Sequence, residues 1–144
     1  MAPVALITGV GRSRGIGSGI AAGLAADGWN LVLSHWRAYD DRVGHEHGAN
    51  DPEELADELR RAGRQVEVVP ADLEDPAGAD GLVKRAVELL GPLEAMVLSH
   101  AESVDSGVLD TTVESFDRHY AVNWPGSRDS PQIRSPEFLT LARA

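Results

Sequence analysis

Short apolar runs alternate along the chain with longer segments whose apolar residues lie three or four positions apart. Four runs rich in aliphatic residues favour buried strands, at residues 4–7, 30–34, 66–69 and 95–98. Four segments favour helices, at residues 20–26, 51–61, 76–90 and 111–123. This alternation predicts an α/β fold, a Rossmann-type, doubly wound parallel sheet with right-handed crossovers.

Helix ends are indicated by capping and breaking residues. Asp51 is expected to cap the second helix, with Pro52 in its first turn, and Thr111 or Thr112 to cap the last. The third helix is expected to bury one stripe, formed by Leu82, Val83, Ala86, Val87 and Leu90.

Two stretches show neither pattern. Residues 35–50 are mostly charged and turn-forming, and we expect a loop there. After Asn123 the pattern stops, so we expect a nucleotide-binding domain at 1–123, an irregular tail at 124–144, and a sheet that is incomplete on its C-terminal side.

Composition excludes several classes of protein. The chain has 144 residues and a net charge of -10, which disfavours a nucleic-acid partner because phosphate binding needs clustered Lys and Arg. It has no cysteine, which excludes disulfides and favours a cytoplasmic location. No apolar run approaches the ~20 residues of a membrane helix, so we expect a soluble protein without a membrane partner.

A glycine-rich loop joins the first strand to the first helix, where a dinucleotide-binding fold needs tight turns and close backbone approach to a pyrophosphate. The loop resembles the T-G-x-x-x-G-x-G fingerprint of the short-chain dehydrogenase/reductase family through Thr8, Gly9, Gly11, Gly15, Ile16 and Gly17. Two extra residues follow Thr8, so either Gly9 or Gly11 can act as the first glycine. An ordinary glycine-rich turn is the alternative.

The resemblance covers residues 4–123 and implies an NAD(P)-dependent oxidoreductase of a carbonyl or alcohol. Arg12 and Arg14 lie in the loop, and Arg37 follows the second strand, where such folds bind the adenosine ribose. No carboxylate occupies that strand end, so we expect NADP rather than NAD as the cofactor. Each arginine alone could equally be a solvated surface charge.

Further cofactor contacts are implied after the third and fourth strands. Asp72 and Leu73 resemble the family's adenine-binding pair, although Asp72 could instead begin a helix. Where the family has N-N-A-G, this chain has Ser99-His100-Ala101-Glu102, and only Ala101 keeps the pattern. A lone histidine such as His100 is more often structural than catalytic.

The family's proton relay is represented by one residue. Asn123 resembles its catalytic asparagine, with a structural Asn at a helix end as the alternative. The Tyr-x-x-x-Lys pair that would transfer the proton is absent, because Tyr39 and Tyr120 are the two tyrosines and Lys84 is the single lysine.

Three interpretations follow from these residues. The chain is an oxidoreductase by ancestry, a non-catalytic nucleotide-binding or interaction module, or a truncated or frameshifted product. We expect a dinucleotide as partner, an unknown carbonyl or alcohol as substrate, and a possible homo-oligomer. His45, Glu46 and His47 lack an evident further ligand, so we expect a solvated loop and no metal site.

Overall fold

The computed structural model describes residues 2–44, 48 and 50–124. Its elements, in chain order, are β1 (Val4–Ile7), α1 (Ile16–Ala26), β2 (Asn30–His35), α2 (Arg37–Val43), α3 (Asp51–Arg61), β3 (Val66–Pro70), α4 (Pro76–Leu90), β4 (Ala95–Val97) and α5 (Val113–Asn123). In this part of the chain no helix combines the length and the apolar character needed to cross a membrane.

The strands form one parallel sheet in the order β3-β2-β1-β4. Leu6 of β1 pairs with Val32 of β2 on one side and with Met96 of β4 on the other. All four residues of β1 are buried, as expected for a central strand covered on both faces. The sheet therefore places the carboxyl ends of its strands at one edge.

Helices cover both faces of the sheet, which confirms the doubly wound Rossmann-type prediction. On one face Ala5, Ile7, Leu31 and Leu33 pack with buried residues of α1 and α3. On the other face Leu6 and Val32 pack against the buried stripe of α4. Leu82, Val83 and Ala86 belong to this stripe as predicted, but Val87 is 37% exposed, because it lies at the solvent margin of the helix.

The structure corrects three local predictions. Residues 37–43, expected to form a loop, form α2. Helix α1 begins at Ile16 instead of Ile20, so Gly17 and Gly19 belong to its first turns. Asn50 holds the N-cap position of α3, and the carboxylate of Asp51 instead accepts a hydrogen bond from the backbone N–H of Ser13, at 2.9 Å.

Helix α5 differs from the other long helices because none of its residues is buried. Thr112 is its N-cap, and its hydroxyl accepts a hydrogen bond from the backbone N–H of Ser115 at 3.1 Å. Several large apolar side chains at and near α5 face solvent: Val108, Leu109, Val113, Phe116, Tyr120 and Trp124. Within the described residues, the helix is held to the rest of the fold mainly by polar contacts.

Candidate cofactor site

A pocket of about 960 Å³ opens at the carboxyl edge of the sheet. Segments that follow all four strands line it, which is where open α/β sheets bind ligands. Its walls include Gly9, Gly11, Arg12, Ile16, Trp36, Asp40, Asp72, Leu73, His100, Ala101 and Glu102. Its volume is at the upper end of the usual range for ligand pockets, so it suits a large ligand.

Gly9 is the glycine that the geometry of the loop requires most strictly. Its φ of +74° lies in the left-handed region, and a Cβ there would be 2.5 Å from the backbone oxygen of Ser99. A Cβ on Gly17 would lie 2.8 Å from the carbonyl oxygen of Gly9. Gly11 instead lies against the side chain of Asp40. Both candidates for the first glycine role line the pocket, and of the two Gly9 has the close backbone packing.

The amino end of α1 is open towards the pocket. Gly15 is its N-cap and supplies no side-chain hydrogen bond, and the first turn holds no acidic residue. The positive end of the helix dipole is thus not compensated by its own first turn. Ile16 lies at this end, lines the pocket and is 79% exposed. A free helix N-terminus of this kind binds phosphate groups well.

The three arginines assigned to the cofactor lie in different surroundings. Arg12 lines the pocket, and its Nε lies 3.5 Å from the carboxylate of Asp40. Arg37 donates a hydrogen bond to the carbonyl oxygen of Gly48, at 3.1 Å. Neither Arg14 nor Arg37 is among the described residues that line the pocket. Of these three arginines, Arg12 is therefore the one placed to meet a phosphate bound in the pocket.

Two buried carboxylates in the pocket wall were not predicted from the sequence. Asp40 on α2 is 5% exposed and Glu102, after β4, is 4% exposed. Each is paired with an arginine, Asp40 with Arg12 and Glu102 with Arg42. Residue type alone predicts surface positions for both carboxylates, since Asp and Glu are rarely buried without a partner. The departure of Glu102 from the family's glycine was the one available signal.

Asp72, Leu73 and Ala101 all line the pocket. Asp72 does not cap a helix: its carboxylate accepts a hydrogen bond from the backbone N–H of Glu74 at 2.9 Å, while Asp75 caps α4. The helix-capping alternative for Asp72 is therefore wrong. Contacts of Asp72 and Leu73 with the adenine, and of Ala101 with the cofactor, stay predictions.

Thr8 joins β1 to the segment after β4. Its hydroxyl lies 2.7 Å from Nδ1 of His100 and accepts a hydrogen bond from the backbone N–H of Ser99 at 3.2 Å. Burial lowers the pKa of His100 below its ordinary value of 6.5, and a weaker backbone interaction with Val122 opposes that shift. Through these contacts Thr8 and His100 have a structural role, because they join the end of β1 to the segment after β4 at the pocket wall.

The side-chain amide of Asn123 forms two hydrogen bonds with the backbone of one residue, Glu102. Its oxygen accepts a hydrogen bond from the backbone N–H of Glu102, and its nitrogen donates to the carbonyl oxygen of Glu102, both at 3.0 Å. This arrangement fixes the loop after β4 to the end of α5. It favours the structural interpretation of Asn123, and a catalytic task for this residue stays a prediction.

The predicted loop at His45, Glu46 and His47 lies outside the described residues. Among the residues that the structure does describe, no group of three potential ligands could hold a metal ion. Lys84 is on an exposed position of α4, away from the pocket.

The sequence matches the short chain dehydrogenase family over residues 3–139. The match extends past residue 123, and the domain boundary expected there stays a prediction. The short-chain dehydrogenase/reductase eriH of Hericium erinaceus is 34% identical over 123 residues, which are 85% of this chain and 45% of that protein. The versicolorin reductase stcU of Emericella nidulans is 36% identical, over 85% of this chain and 42% of that protein. The chain thus spans less than half the length of these relatives.

Solved structures give the same result. A short chain dehydrogenase from Burkholderia cenocepacia, in complex with NADP, aligns with a TM-score of 0.77 at 27% identity, over 90% of this chain and 48% of that one. A blue fluorescent protein from a metagenomic library, in complex with NADPH, aligns with a TM-score of 0.69 at 28% identity, over 86% of this chain and 46% of that one. Together with the family match, these similarities confirm the resemblance found in the sequence: the chain belongs to the short-chain dehydrogenase family of oxidoreductases.

Proposed function

We propose that this chain binds NADP(H) in the pocket at the carboxyl edge of the sheet, as the nucleotide-binding part of an oxidoreductase that acts on a carbonyl or alcohol. One observation carries the proposal: the glycine loop, the open end of α1 and the Arg12 guanidinium all border one large cavity. When bound, the cofactor supplies hydride transfer at its nicotinamide.

The chain's own residues fit the phosphates of such a cofactor. A Cβ would fill the space at Gly9 and Gly17, so the loop can turn tightly and present backbone N–H groups at the entrance of α1. We expect Arg12 to contact the 2′-phosphate. Its ion pair with Asp40 involves Nε, and its side chain remains 39% exposed, so the guanidinium is still accessible to a ligand. Arg14 and Arg37, which do not line the pocket, stay predicted contacts.

Asp40 supplies the argument for the competing choice, NADH. Its buried carboxylate lines the same pocket and could accept a hydrogen bond from a ribose hydroxyl, as carboxylates do in NAD-binding folds. We favour NADP because Arg12 already compensates that charge.

The cytoplasmic location expected from the sequence stays a prediction, as does a homo-oligomer.

The proposal is tested by titrating the chain with NADPH and NADH and following nucleotide fluorescence. We expect tighter binding of NADPH, and we expect Arg12→Gln to weaken it roughly tenfold or more, as expected for the loss of a charged hydrogen bond, with little effect on NADH. Arg85→Gln is the matched control, because Arg85 forms an exposed ion pair with Glu88 on α4. Failure of the wild-type chain to bind either nucleotide would refute the proposal.

The non-catalytic alternative has a specific observation in its favour: the 144 residues contain no Tyr-x-x-x-Lys. Saturable NADPH binding without turnover of simple aldehydes, ketones or alcohols would support a binding module. Measurable turnover would refute that alternative and require a proton donor other than this pair.

A further inference from the structure

Arg42 and Glu102 join two elements that lie far apart in the sequence. The guanidinium of Arg42, on α2, donates a hydrogen bond to the carboxylate of Glu102, in the loop between β4 and α5. The Glu102 side chain is 3% exposed and that of Arg42 is 37% exposed. A carboxylate so deeply buried in a largely exposed loop depends on its partner for compensation of its charge.

A second contact reinforces the first. The guanidinium of Arg42 lies over the ring of Tyr39, 5.6 Å from its centroid, and the Tyr39 hydroxyl donates a hydrogen bond to the carbonyl oxygen of Ser103 at 3.4 Å. Tyr39, Arg42, Glu102 and Ser103 all line the cofactor pocket. Helix α2 and the loop after β4 therefore meet across one side of that pocket.

Neither of the two joined elements belongs to a hydrophobic core cluster. The loop is fixed to α5 by the paired hydrogen bonds of Asn123 to the backbone of Glu102. Helix α2 has seven residues, and none of them belongs to either hydrophobic core cluster. A helix this short is not stable by itself. Besides the ion pair of Asp40 with Arg12, the contact between Arg42 and Glu102 is therefore a main attachment of α2 on this side of the pocket.

We propose that Arg42 and Glu102 form a latch that holds α2 against the loop after β4 and sets how fast nucleotide enters and leaves the pocket. The inference rests on the proposed function for its ligand, but the contact itself can be tested without one. Opening the latch separates the two charges and frees the α2 wall of the pocket, which includes Trp36 and Asp40.

The first test is stopped-flow measurement of NADPH binding and release by wild type, Glu102→Gln and Arg42→Gln. We expect association and release both to accelerate roughly fivefold in each variant, the scale of one charged contact between a buried carboxylate and a partly exposed guanidinium, with a smaller change in Kd. The double variant should be no faster than either single one, because both remove the same contact. Glu88→Gln, which removes an exposed ion pair on α4, should leave the rates unchanged.

The second test is hydrogen exchange in the nucleotide-free chain. We expect the amides of residues 37–43 to exchange several-fold faster in Glu102→Gln than in wild type, while those of α3 keep their rates. Equal exchange of α2 in both proteins overturns the latch. If the wild type binds no nucleotide, the proposed function fails and exchange alone decides the latch.

The remaining outcomes are also decisive. Wild-type binding with rates unchanged by either substitution overturns the latch and leaves the proposed function intact. If Glu102→Gln does not fold, Arg42→Gln carries the test, since its position is more exposed. If neither variant folds, the pair is a requirement for folding, and its assignment as a latch is wrong.

Discussion

Replacing Gly9 by alanine tests the packing of the glycine loop against the segment that follows β4. The new Cβ would lie 2.5 Å from the carbonyl oxygen of Ser99 and 2.7 Å from the backbone nitrogen of His100, where ordinary contacts begin at 3.4 Å. Both neighbours are backbone atoms, so neither can turn aside as a long side chain would. The residue would also keep a φ of +74°, which L-amino acids other than glycine rarely adopt.

Two contributions set the expected loss of stability. The left-handed backbone costs an alanine about 1–2 kcal/mol. Relief of the overlap, by shifting the segment after β4, costs about 1–3 kcal/mol. The free energy of unfolding should therefore fall by about 2–5 kcal/mol, a large share of the ~5–15 kcal/mol typical of a domain.

The assay is urea unfolding followed by far-UV circular dichroism, with Gly23→Ala as the matched control. Gly23 lies inside α1, and no atom stands within 4 Å of its ideal Cβ. Alanine should stabilise the helix there by about 0.5–1 kcal/mol. An unfolding midpoint of Gly9→Ala equal to that of wild type would refute the packing argument.

Two more predictions concern pH and helix capping. Burial lowers the pKa of His100 and of His35 below 6.5, so these residues take up protons in the unfolded chain before they do so in the folded chain. The free energy of unfolding should therefore decrease as pH falls below about 6.5, until the two histidines are protonated in the folded chain as well. Chemical denaturation at several pH values should show a shallower decrease for His100→Gln, and an unchanged slope would count against burial as the cause. Thr112→Ala removes the N-cap hydrogen bond to Ser115 and should destabilise α5 by about 1 kcal/mol, measured by hydrogen exchange of its amides. Thr112→Ser should keep the protection, and equal exchange in all three proteins would contradict the capping prediction.

Local sequence patterns were sufficient for the four strands and for four of the five described helices, although α1 begins four residues earlier than predicted. The run at 4–7 is continuous and apolar because β1 is covered on both faces, and the stripe of α4 follows from its contact with a single face. Such elements are specified by the residues that they bury, so their periodicity is visible in one sequence.

Helix α2 could not be predicted in the same way. Its sequence RAYDDRV has no apolar stripe, and it buries a carboxylate, Asp40. The contacts that hold it reach Arg12 in the glycine loop and Glu102 after β4, which are distant in sequence. Tertiary contacts of this kind leave no periodic signal.

The candidate site was found through its glycines, while its charge arrangement was not. The loop at Gly9 to Gly17 can be recognised because close backbone approach excludes side chains at particular positions. The pairing of Arg12 with Asp40 and of Arg42 with Glu102 depends on which loops meet at the sheet edge. Sequence separation hides that proximity, so the buried carboxylates appear as ordinary surface residues.

The place of α2 in the fold has a consequence for how cofactor preference can evolve. Of the described residues from 36 to 50, none belongs to either core cluster, yet Trp36 and Asp40 border the pocket proposed for the nucleotide. If this pocket binds the nucleotide as proposed, substitutions in this segment should alter nucleotide preference without changing any side chain of the core clusters. The proposed function would then leave nucleotide preference free to diverge at positions that contribute little to the hydrophobic core.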